Sequence, residues 1–495
     1  MRLHRFPGGL KLAGHKVHGA GPPIRSCPLP ARLVVPMLQH AGAPARPCVE
    51  VGDRVALGQR IGEPEGERSV AVHAPAAGTV IALGPHRVAF GPGLEVEAVE
   101  IDVDLDGPRA LLAPLDPQAE PAALLARLRE AGLVGLGGAV FPTAEKLQVQ
   151  RELLILNGAE CEPYIACDDA LLRVRAQEVV LGGLVLARIA GTPRVLLAVE
   201  DTMPEAIAAA RAAIAANAVT GIELAVVPTV YPEGGERQLI RVLTGQEVPS
   251  RGLPRDLGIV VHNVGTAAAA WRAVAHGEPL VSRIVTVNGR GVAVPGNYEV
   301  AIGTPVAHLI ARAGGYTGQA ARLVIGGPMM GLALPHDGFA VTKSSNCVLV
   351  LAASDLRETG PELPCIRCGE CSRVCPAQLM PQQLLAFIRG EDWTRTLQFG
   401  VYDCIECGCC DLACPSHIPL VEHFRFAKTE LRASRLASER AEQARRRHEA
   451  RAARLQGLRA ERESRRARAA MPESVSAALQ RARARLPRDT DEDTR

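Results

Sequence analysis

Two cysteine runs with the same internal spacing constrain this chain more than any other feature. Each run has the form C-x2-C-x2-C-x3-C-P, and the cysteines are Cys365, Cys368, Cys371 and Cys375 in the first and Cys404, Cys407, Cys410 and Cys414 in the second. Thiolates at this spacing on a turning loop converge on the irons of a cubane, so the runs predict 4Fe–4S clusters and electron transfer. Zinc ribbons also use C-x2-C pairs, but two complete runs that end in Cys-Pro favour iron and sulfide.

The paired runs resemble those of two-cluster ferredoxins, in which the fourth cysteine of each run binds the other cluster. The resemblance implies two crossed ligand sets, namely Cys365, Cys368, Cys371 and Cys414 for one cluster and Cys404, Cys407, Cys410 and Cys375 for the other. Cys409 fits neither run and is interpreted as a bystander. With Cys409, the two runs hold nine of the 14 cysteines, and this crowding indicates a reducing compartment instead of a disulfide framework.

The length and composition predict several domains. A chain of 495 residues that is 47% hydrophobic exceeds what one core usually supports. A net charge of +3 provides no global field that would recruit nucleic acid. The N-terminus lacks the apolar segment of an export signal, and no stretch has the ~20 clean apolar residues of a membrane span, so we expect any membrane contact to be indirect.

Residues 1–115 are predicted to form a small β domain. Short apolar strands alternate with Gly and Pro turns between 30 and 105. Two segments, VGDRVALGQRIG at 51–62 and HAPAAGTV at 73–80, resemble the halves of a biotinyl/lipoyl-type barrel sandwich. The turn at 63–69 has no Lys to acylate, so we expect a structural or docking role and not a carrier role.

Three further domains and a tail are predicted downstream. Residues 120–280 alternate apolar strands with Ala-rich helical stretches, which favours a Rossmann-like α/β domain. Residues 281–355 return to strands around one helix and fit a β-grasp unit of the SLBB type. The cysteine module occupies 360–428, and residues 430–495, rich in Arg, Ala and Glu, are expected to form a solvated helix or a disordered tail. The predicted fold class is therefore multidomain α/β and α+β.

A glycine-rich loop at residues 132–146, GLVGLGGAVFPTAEK, is the second candidate for chemistry. Glycines let a backbone approach a phosphate, and N–H groups at a helix start attract anions, although an ordinary strand-to-helix turn has a similar composition. Three segments follow it, NGAECEP at 157–163, YPEGGER at 231–237 and HNVGT at 262–266. In this order they resemble the flavin-binding subunit of respiratory complex I over about residues 130–350. In that family the corresponding segments bind FMN and NADH.

The resemblance implies a role for each residue that matches the family's motifs. Gly135, Gly137, Gly138 and Lys146 would face phosphate and nucleotide; Asn157, Glu160 and Glu162 would line the flavin ring; Tyr231, Gly234, Gly235 and Glu236 would lie near flavin and nicotinamide; Asn263 and Thr266 would contact the FMN phosphate. The catalytic candidates among them are Glu160, Glu162 and Tyr231. An isolated Glu is ordinarily a solvated loop residue, but a Glu-Cys-Glu-Pro segment after an apolar strand favours a functional interpretation.

Two positions depart from the complex I pattern. Leu136 stands where that family has Arg, which removes a cation near the phosphates. Ala159 stands where it has Asp, which removes a carboxylate near the ring. Nearby, Cys161 and Cys167 are interpreted as small buried hydrophobic residues.

Taken in order, the modules resemble the RnfC family of the Rnf (Rsx) electron-transport complex over about residues 1–430. The segment FPGGLK at 6–11 and both departures from complex I are typical of that family. The resemblance implies a peripheral enzyme subunit on the cytoplasmic side of the bacterial inner membrane, which works with the RnfB iron–sulfur subunit and with integral membrane subunits. It also implies FMN, two 4Fe–4S clusters and NADH, in a complex that couples electron transfer between NADH and ferredoxin to ion translocation.

Three alternatives stay open. A cobalamin reductase has a similar order of flavin, β-grasp and cluster modules and would reduce a corrinoid without a membrane partner. An electron-transfer scaffold would hold clusters beside an empty flavin fold. A docking protein would bind anionic lipid or nucleic acid through the Arg-rich tail after residue 430, although such a tail is ordinarily a solvated helix.

Overall fold

The structure is a computed structural model that describes residues 2–16, 23–66, 68–89, 94–217, 221–356, 360–470 and 473–485. Met1–Arg425 form one compact unit and Phe426–Arg495 form a second. The turn predicted at 63–69 includes Glu67, which lies outside the described residues, as do the last ten residues of the tail, 486–495.

Short strands dominate the N-terminal region. Their bounds are β1 Arg25–Ser26, β2 Arg32–Pro36, β3 Arg46–Pro47, β4 Arg54–Val55, β5 Arg60–Glu63, β6 Val72–His73, β7 Gly78–Arg87 and β8 Glu95–Val103. One antiparallel sheet has the order β2-β8-β7-β4 and another has the order β3-β5-β6. Alternate residues such as Leu33, Val35 and Ile101 point into a shared core and have no exposed surface. The predicted barrel-sandwich fold is confirmed.

The second region alternates helices and strands. Its elements are α1 Pro121–Glu130, α2 Thr143–Lys146, β9 Leu153–Gly158, α3 Cys167–Ala190, β10 Val195–Glu200, α4 Pro204–Ala216, β11 Ile222–Val227, α5 Glu236–Thr244, a 3-10 helix Pro254–Leu257, β12 Ile259–Asn263 and α6 Val264–Ala275. The strands are parallel in the order β11-β10-β9-β12. Leu154 and Leu156 pack on one side with α3 and α6, whereas Leu153 and Ile155 pack on the other with α5. Because helices cover both faces of the sheet, β9 is apolar along most of its length. The alternation of helices with parallel strands confirms the predicted α/β domain.

A mixed sheet forms the third region. Its elements are β13 Ser282–Asn288, β14 Gly296–Ala301, α7 Val306–Arg312, β15 Ala320–Ile325, β16 Leu332–Leu334, β17 Cys347–Ala352 and a 3-10 helix Ala353–Asp355. The strand order is β1-β14-β13-β17-β15-β16, with β1 parallel to β14. Helix α7 covers the sheet with Val306, Leu309 and Ile310. The predicted β-grasp unit is therefore present, and the N-terminal strand β1 extends its sheet.

Short helices surround the cysteines, and a long helix follows them. Their bounds are α8 Glu370–Arg373, α9 Pro381–Arg389, α10 Trp393–Gln398, a 3-10 helix Val401–Asp403, α11 Cys409–Ala413, α12 Leu420–Ala469 and α13 Glu473–Ala484. Nearly all described residues after 430 are exposed, and pairs four residues apart, such as Arg446 with Glu442, line the helix. The tail is thus a solvated helix over its described part. None of the helices in the described ranges has the length and apolarity needed to cross a membrane.

Candidate functional site

The two cysteine runs fold alike. Each coils through left-handed residues at matching positions, which are Arg367 and Gly369 in the first run and Glu406 and Gly408 in the second. Each run then enters a short helix, α8 or α11. Turns that mix right- and left-handed residues point successive N–H groups into a concavity that binds anions such as iron–sulfur clusters.

The first predicted ligand set meets around one cavity, which is lined by Cys365, Cys368, Cys371 and Cys414. Apolar side chains, among them Leu385 and Ile418, form other parts of its wall. The last cysteine of the second run therefore lies with the first three cysteines of the first run. The crossed assignment requires this arrangement.

The second predicted ligand set is also close together. Burial raises the pKa of Cys410, and the charges of Asp411, Cys404, Cys407 and Cys375 raise it further. Burial likewise raises the pKa of Cys375, with Cys407 contributing to the rise. The first run thus contributes its last cysteine to the neighbourhood of the second run.

Backbone N–H groups point at the sulfurs of this second set. Leu379 donates to Sγ of Cys375 and Glu406 donates to Sγ of Cys404, each at 3.4 Å. Hydrogen bonds of this kind stabilise the negative charge of thiolates bound to iron. Two sets of four thiols, partly buried and supplied with such donors, fit two 4Fe–4S clusters.

The second run packs directly against the second and third regions. The Tyr231 hydroxyl donates to the Cys407 carbonyl at 2.6 Å. A Cβ added to Gly408 would lie 3.1 Å from the Met329 carbonyl oxygen. The N–H of Arg251 donates to the Asp403 carboxylate at 3.2 Å. The loop of the second run is therefore held on the α/β domain by polar and close van der Waals contacts.

Several predicted flavin residues meet where the parallel strands end, which is the edge at which α/β sheets bind ligands. The Asn157 amide at the end of β9 donates to the Gly234 carbonyl at 2.8 Å. The Asn263 amide at the end of β12 donates to the Asp168 carboxylate at 2.6 Å. Gly234 and Gly235 lead into α5, with Gly235 as its N-cap. The structure therefore brings residues of three predicted segments to one edge of the sheet.

Glu160 lies at the start of α3. Its carboxylate accepts the N–H of Asp168 at 3.0 Å, the N–H of Asp169 at 3.4 Å and the thiol of Cys167 at 3.3 Å. A negative charge at this position satisfies free N–H groups and suits the helix dipole. Burial, followed by the charge of Glu160, raises the pKa of Asp168 to about 7. Glu160 is thus a buried member of the site and not a solvated loop residue.

Further buried charges extend this acidic group. The Lys16 ammonium lies 3.7 Å from the Glu160 carboxylate and 3.8 Å from the Glu200 carboxylate, and it donates to the Glu160 carbonyl. Glu200 and Glu233 are fully buried, and within the described part of the chain neither carboxylate has a hydrogen-bond partner of normal geometry. Burial raises the pKa of Glu200 to about 7 and that of Glu233 to about 8. Buried acceptors without partners indicate a place for a group that donates hydrogen bonds.

Glu162 fixes a loop of the third region beside the second cysteine run. Its carboxylate accepts the N–H of Met329 at 2.8 Å and the N–H of Met330 at 3.1 Å. Burial raises the pKa of Glu162, while these two hydrogen bonds lower it. Glu162 therefore lies between the flavin-type segments and the cysteine loop.

The glycine-rich loop is held on the start of α6. The N–H of Gly135 donates to the Phe141 carbonyl, and the N–H of Leu136 donates to the Thr266 hydroxyl, both at 2.9 Å. Thr266 has no exposed surface. Its hydroxyl therefore supports the loop, and the predicted contact of Thr266 with phosphate stays a prediction.

The remaining predicted residues of the loop are Gly137, Gly138 and Lys146, and each has different surroundings. A Cβ on Gly137 would lie 3.4 Å from Cβ of Asn263, whereas a Cβ on Gly138 would meet nothing within 4 Å. The Lys146 ammonium donates to the Glu236 carboxylate at 2.8 Å, and both side chains are about one-third exposed. Two predicted nucleotide residues are thus paired with each other, so an incoming phosphate would compete with Glu236 for the ammonium.

A buried arginine reaches the loop from β13. Arg283 is 6% exposed and donates to the carbonyls of Leu136, at 3.4 Å, and of Lys343. It lines a cavity of about 90 Å³ together with Leu136, Asp168 and Asn263. A cation therefore stands beside the loop even though the loop itself has Leu136 where complex I has Arg.

Four family models match successive parts of the chain. They describe the RnfC barrel sandwich hybrid domain at residues 4–106, the Nuo51 FMN-binding domain at 128–272, the SLBB domain at 284–333 and the 4Fe-4S dicluster domain at 364–418. An FMN-binding type of domain and a dicluster type of domain thus occur in one chain.

Curated relatives cover all of these regions together. The chain is 50% identical over 454 residues to the C subunit of the ion-translocating oxidoreductase complex of Pseudomonas aeruginosa, 44% identical over 454 residues to that of Erwinia tasmaniensis and 43% identical over 455 residues to that of Serratia proteamaculans. The alignments cover 90, 91 and 91% of this chain. The chain is a homologue of these C subunits over nearly all of its own length.

The chain spans 58, 56 and 64% of the length of these three relatives. Among solved structures, a chain of the NAD+-reducing NiFe-hydrogenase in its H2-reduced state is similar at 22% identity and a TM-score of 0.46. That similarity covers 66% of this chain and 67% of the hydrogenase chain.

The residues at the sheet edge fit FMN, the cofactor named by the matching domain. FMN offers hydroxyl and ring N–H donors. Among the described residues, the Glu233 carboxylate has no hydrogen-bond partner and Glu200 has only the Lys16 ammonium at 3.8 Å. FMN also carries a phosphate, and the positive end of the α6 dipole attracts an anion, although the Gly265 N–H donates to the Asn263 side chain at 2.8 Å.

Sequence reasoning missed four charged residues, which are the partly buried Lys16 and the buried Glu200, Glu233 and Arg283. Two of them carry a signal, because Glu200 ends an apolar strand at the ligand-binding edge and Glu233 lies inside the YPEGGER segment. The other two carry none. Lys16 and Arg283 contact partners 144 and 147 residues away in the chain, which no local pattern reveals.

Proposed function

We propose that this chain is the electron-input subunit of an ion-translocating oxidoreductase complex. It takes electron pairs from NADH with the help of FMN and passes single electrons through two 4Fe–4S clusters to the RnfB iron–sulfur subunit. The complex couples electron transfer between NADH and ferredoxin to ion movement through its integral membrane subunits. The chain lies on the cytoplasmic face of the inner membrane and contacts the membrane through those subunits.

The observation that carries this proposal is the contact between the second cysteine run and the FMN-binding type of domain. Tyr231 belongs to that domain and donates its hydroxyl hydrogen to Cys407 at 2.6 Å. Electron transfer needs a flavin and a cluster held at a fixed, short separation. A buried hydrogen bond between the two domains provides such a fixed arrangement.

The residues at the sheet edge would hold FMN, which when bound converts two-electron transfer into one-electron transfer, a change that side chains cannot perform. The N-terminus of α6 would hold its phosphate, with Asn263 at the helix start and Arg283 in the adjoining cavity wall. Glu200 and Glu233 would accept hydrogen bonds from its donors. Lys146, released from Glu236, would meet the phosphates of NADH.

The buried acids have a further use in hydride chemistry. Glu200 and Glu233, with pKa values raised to about 7 and 8, hold or release a proton near neutral pH. Lys16 balances part of their charge, since it lies 3.8 Å from Glu200. Burial of these groups keeps water from the site and strengthens their interactions with a bound molecule.

Anaerobic purification followed by iron, sulfide and flavin analysis tests the proposal. We expect about eight irons and one FMN per chain, because two cubanes hold four irons each. Addition of NADH should bleach the flavin absorbance and produce the electron paramagnetic resonance (EPR) signals of reduced clusters. Eight irons without any flavin, and no reduction by NADH, would instead identify an electron-transfer scaffold. Reduction of a corrinoid by the isolated chain would identify a cobalamin reductase.

A further inference from the structure

Tyr231 is buried between the α/β domain and the second cysteine run. It is 2% exposed and packs in an apolar cluster with Cys407 and Cys409. Its hydroxyl donates to the Cys407 carbonyl at 2.6 Å across 176 residues of sequence. The resemblance to complex I implies that Tyr231 lies near flavin and nicotinamide. In the structure its hydroxyl donates to the peptide carbonyl of Cys407, a predicted cluster ligand.

The N-terminal segment fixes Tyr231 from the other side. Leu10 exchanges two backbone hydrogen bonds with Tyr231, at 2.7 and 2.9 Å. The preceding residue, Gly9, donates to the Val374 carbonyl at 3.0 Å. Val374 is the neighbour of Cys375, so one short stretch of chain connects Tyr231 to a second predicted cluster ligand.

Gly8 shows how tight this connection is. Its φ is +65°, a conformation that L side chains rarely adopt. A Cβ there would lie 2.6 Å from the Val374 carbonyl oxygen and 2.7 Å from the carbonyl carbon and oxygen of Cys375. Only glycine allows the segment to lie against the backbone of Cys375.

Both contacts converge on the same ligand set. Cys407 belongs to the second run, and Cys375 is the cysteine that crosses to it from the first run. Hydrogen bonds and packing next to ligand residues tune the reduction potential of an iron–sulfur cluster. A hydroxyl that donates to the carbonyl of a ligand residue places positive charge near the cluster and so favours its reduced, more negative form.

We propose that Tyr231 is a positioning residue that ties the second cysteine run to the FMN-binding type of domain and raises the reduction potential of the cluster bound there. The inference rests on the proposed function and deepens it. Tyr231 acts through the Cys407 peptide, with Leu10 and Gly8 holding it in place. Tyr231 does not affect the reduction potential of the other cluster, whose predicted ligands are Cys365, Cys368, Cys371 and Cys414.

Redox titration of Tyr231→Phe, followed by EPR, tests this inference. The signal that disappears in Cys410→Ser identifies the cluster of the second run. In Tyr231→Phe the midpoint potential of that cluster should shift to lower values, while the other cluster keeps its potential. Clusters are poised with chemical mediators and without NADH, so the result stands whether or not FMN and NADH act as proposed.

Tyr298→Phe is the matched control. Tyr298 is 1% exposed, and its hydroxyl also donates to a backbone carbonyl, that of Val294 at 3.0 Å, but within the third region. This variant should change neither potential. Unchanged potentials in Tyr231→Phe, or an equal shift of both clusters, would overturn the proposal.

A second variant tests the same connection with Tyr231 intact. Gly8→Ala forces the N-terminal segment away from Cys375 and should shift the potential of the same cluster. Gly315→Ala is its control, because Gly315 has a φ of +81° but a Cβ there would meet nothing within 4 Å. If Gly8→Ala leaves the second-run cluster at its original potential, as the control Gly315→Ala should, the N-terminal segment has no part in controlling that potential.

Discussion

The two cysteine runs have the same local conformation but different surroundings. In both runs the residues two and four positions after the first cysteine are left-handed, as are Gln378 and His417, each three positions after the last cysteine. The first run is open, with Cys365 and Cys368 exposed. In the second run Cys407 and Cys410 are buried, and the loop contacts the α/β domain.

This difference shows that spacing determines how a cluster is bound, whereas packing determines what the cluster can exchange electrons with. The second run faces the FMN-binding type of domain. Around the first run, Leu363 and Ile366 are 51% and 68% exposed. In the proposed function, the second run would hold a buried cluster next to the flavin side and the first run an open cluster at the surface. Electrons would then enter at the buried cluster and leave from the open one.

The largest expected effect comes from breaking the crossed ligand sets. Cys375→Ser should remove the cluster of the second run although Cys375 belongs to the first, and Cys414→Ser should remove the cluster of the first run. Each variant should lose about half of the bound iron, because one of two cubanes is lost. Iron and sulfide analysis with EPR measures the loss and shows which signal disappears.

Cys409→Ser is the control for these variants, because Cys409 is buried beside Cys407 but lies outside both sets. It should retain all of the iron. If Cys375→Ser eliminates the same EPR signal as Cys365→Ser, the sets are not crossed and each run binds its own cluster.

The next largest effect is expected from the ion pairs of Lys16, which lie on the flavin side of the second run. Lys16→Met leaves the buried carboxylates of Glu160 and Glu200 without their cation, which lies 3.7 and 3.8 Å away. The free energy of unfolding should fall by about 3 kcal/mol, at the low end for a broken buried pair because Glu200 can take up a proton. Calorimetry measures the change, and Lys11→Met, at an exposed lysine, is the control.

Hydrogen exchange on Lys16→Met distinguishes the two runs. The N-terminal segment that contains Lys16 contacts Val374 and Tyr231, so exchange should increase around residues 404–410 more than around residues 365–371. An equal increase in both runs would mean that the segment stabilises the module as a whole.

The free energy of unfolding should also depend on pH because of the same acidic group, by an amount similar to the effect of Lys16→Met. The pKa of Glu200 is raised from 4.5 to about 7 and that of Glu233 to about 8, chiefly by burial. Between pH 4.5 and these values the folded protein holds protons on Glu200 and Glu233 that the unfolded chain releases, so the contribution of these two groups to the free energy of unfolding falls as pH rises through this window.

The size of the fall is on the order of 3 kcal/mol for Glu200, since one pKa unit corresponds to about 1.4 kcal/mol. Denaturation of flavin-free protein at a series of pH values measures it. Glu200→Gln should flatten the profile, whereas Glu205→Gln, at an exposed side chain, should not. A Glu200→Gln profile with the same slope as that of the unsubstituted protein would contradict the assignment.

The sequence predicts local features of this molecule better than the contacts between its regions. The cysteine spacing predicts two cluster-binding runs, and strand and helix patterns predict the α/β domain, because these depend on neighbouring residues. The ion pair of Lys16 and the hydrogen bond of Tyr231 join residues far apart in the chain. The predicted contact of Thr266 with phosphate stays a prediction, and the hydrogen bond that its hydroxyl accepts from the Leu136 N–H depends on tertiary packing that no local pattern reveals.

The smallest effect on the free energy of unfolding is expected at the isoleucine that follows the first cysteine of each run. Ile366 follows the first cysteine of the first run and is 68% exposed, whereas Ile405, at the same position of the second run, packs with Tyr231 and Cys407. Ile405→Ala should lower the free energy of unfolding by about 2 kcal/mol, the low end for a buried Ile. Ile366→Ala should change it by no more than about 0.5 kcal/mol, as for other surface substitutions. Denaturant titration followed by cluster absorbance measures both variants, and equal losses would show that the two runs are equally buried in solution.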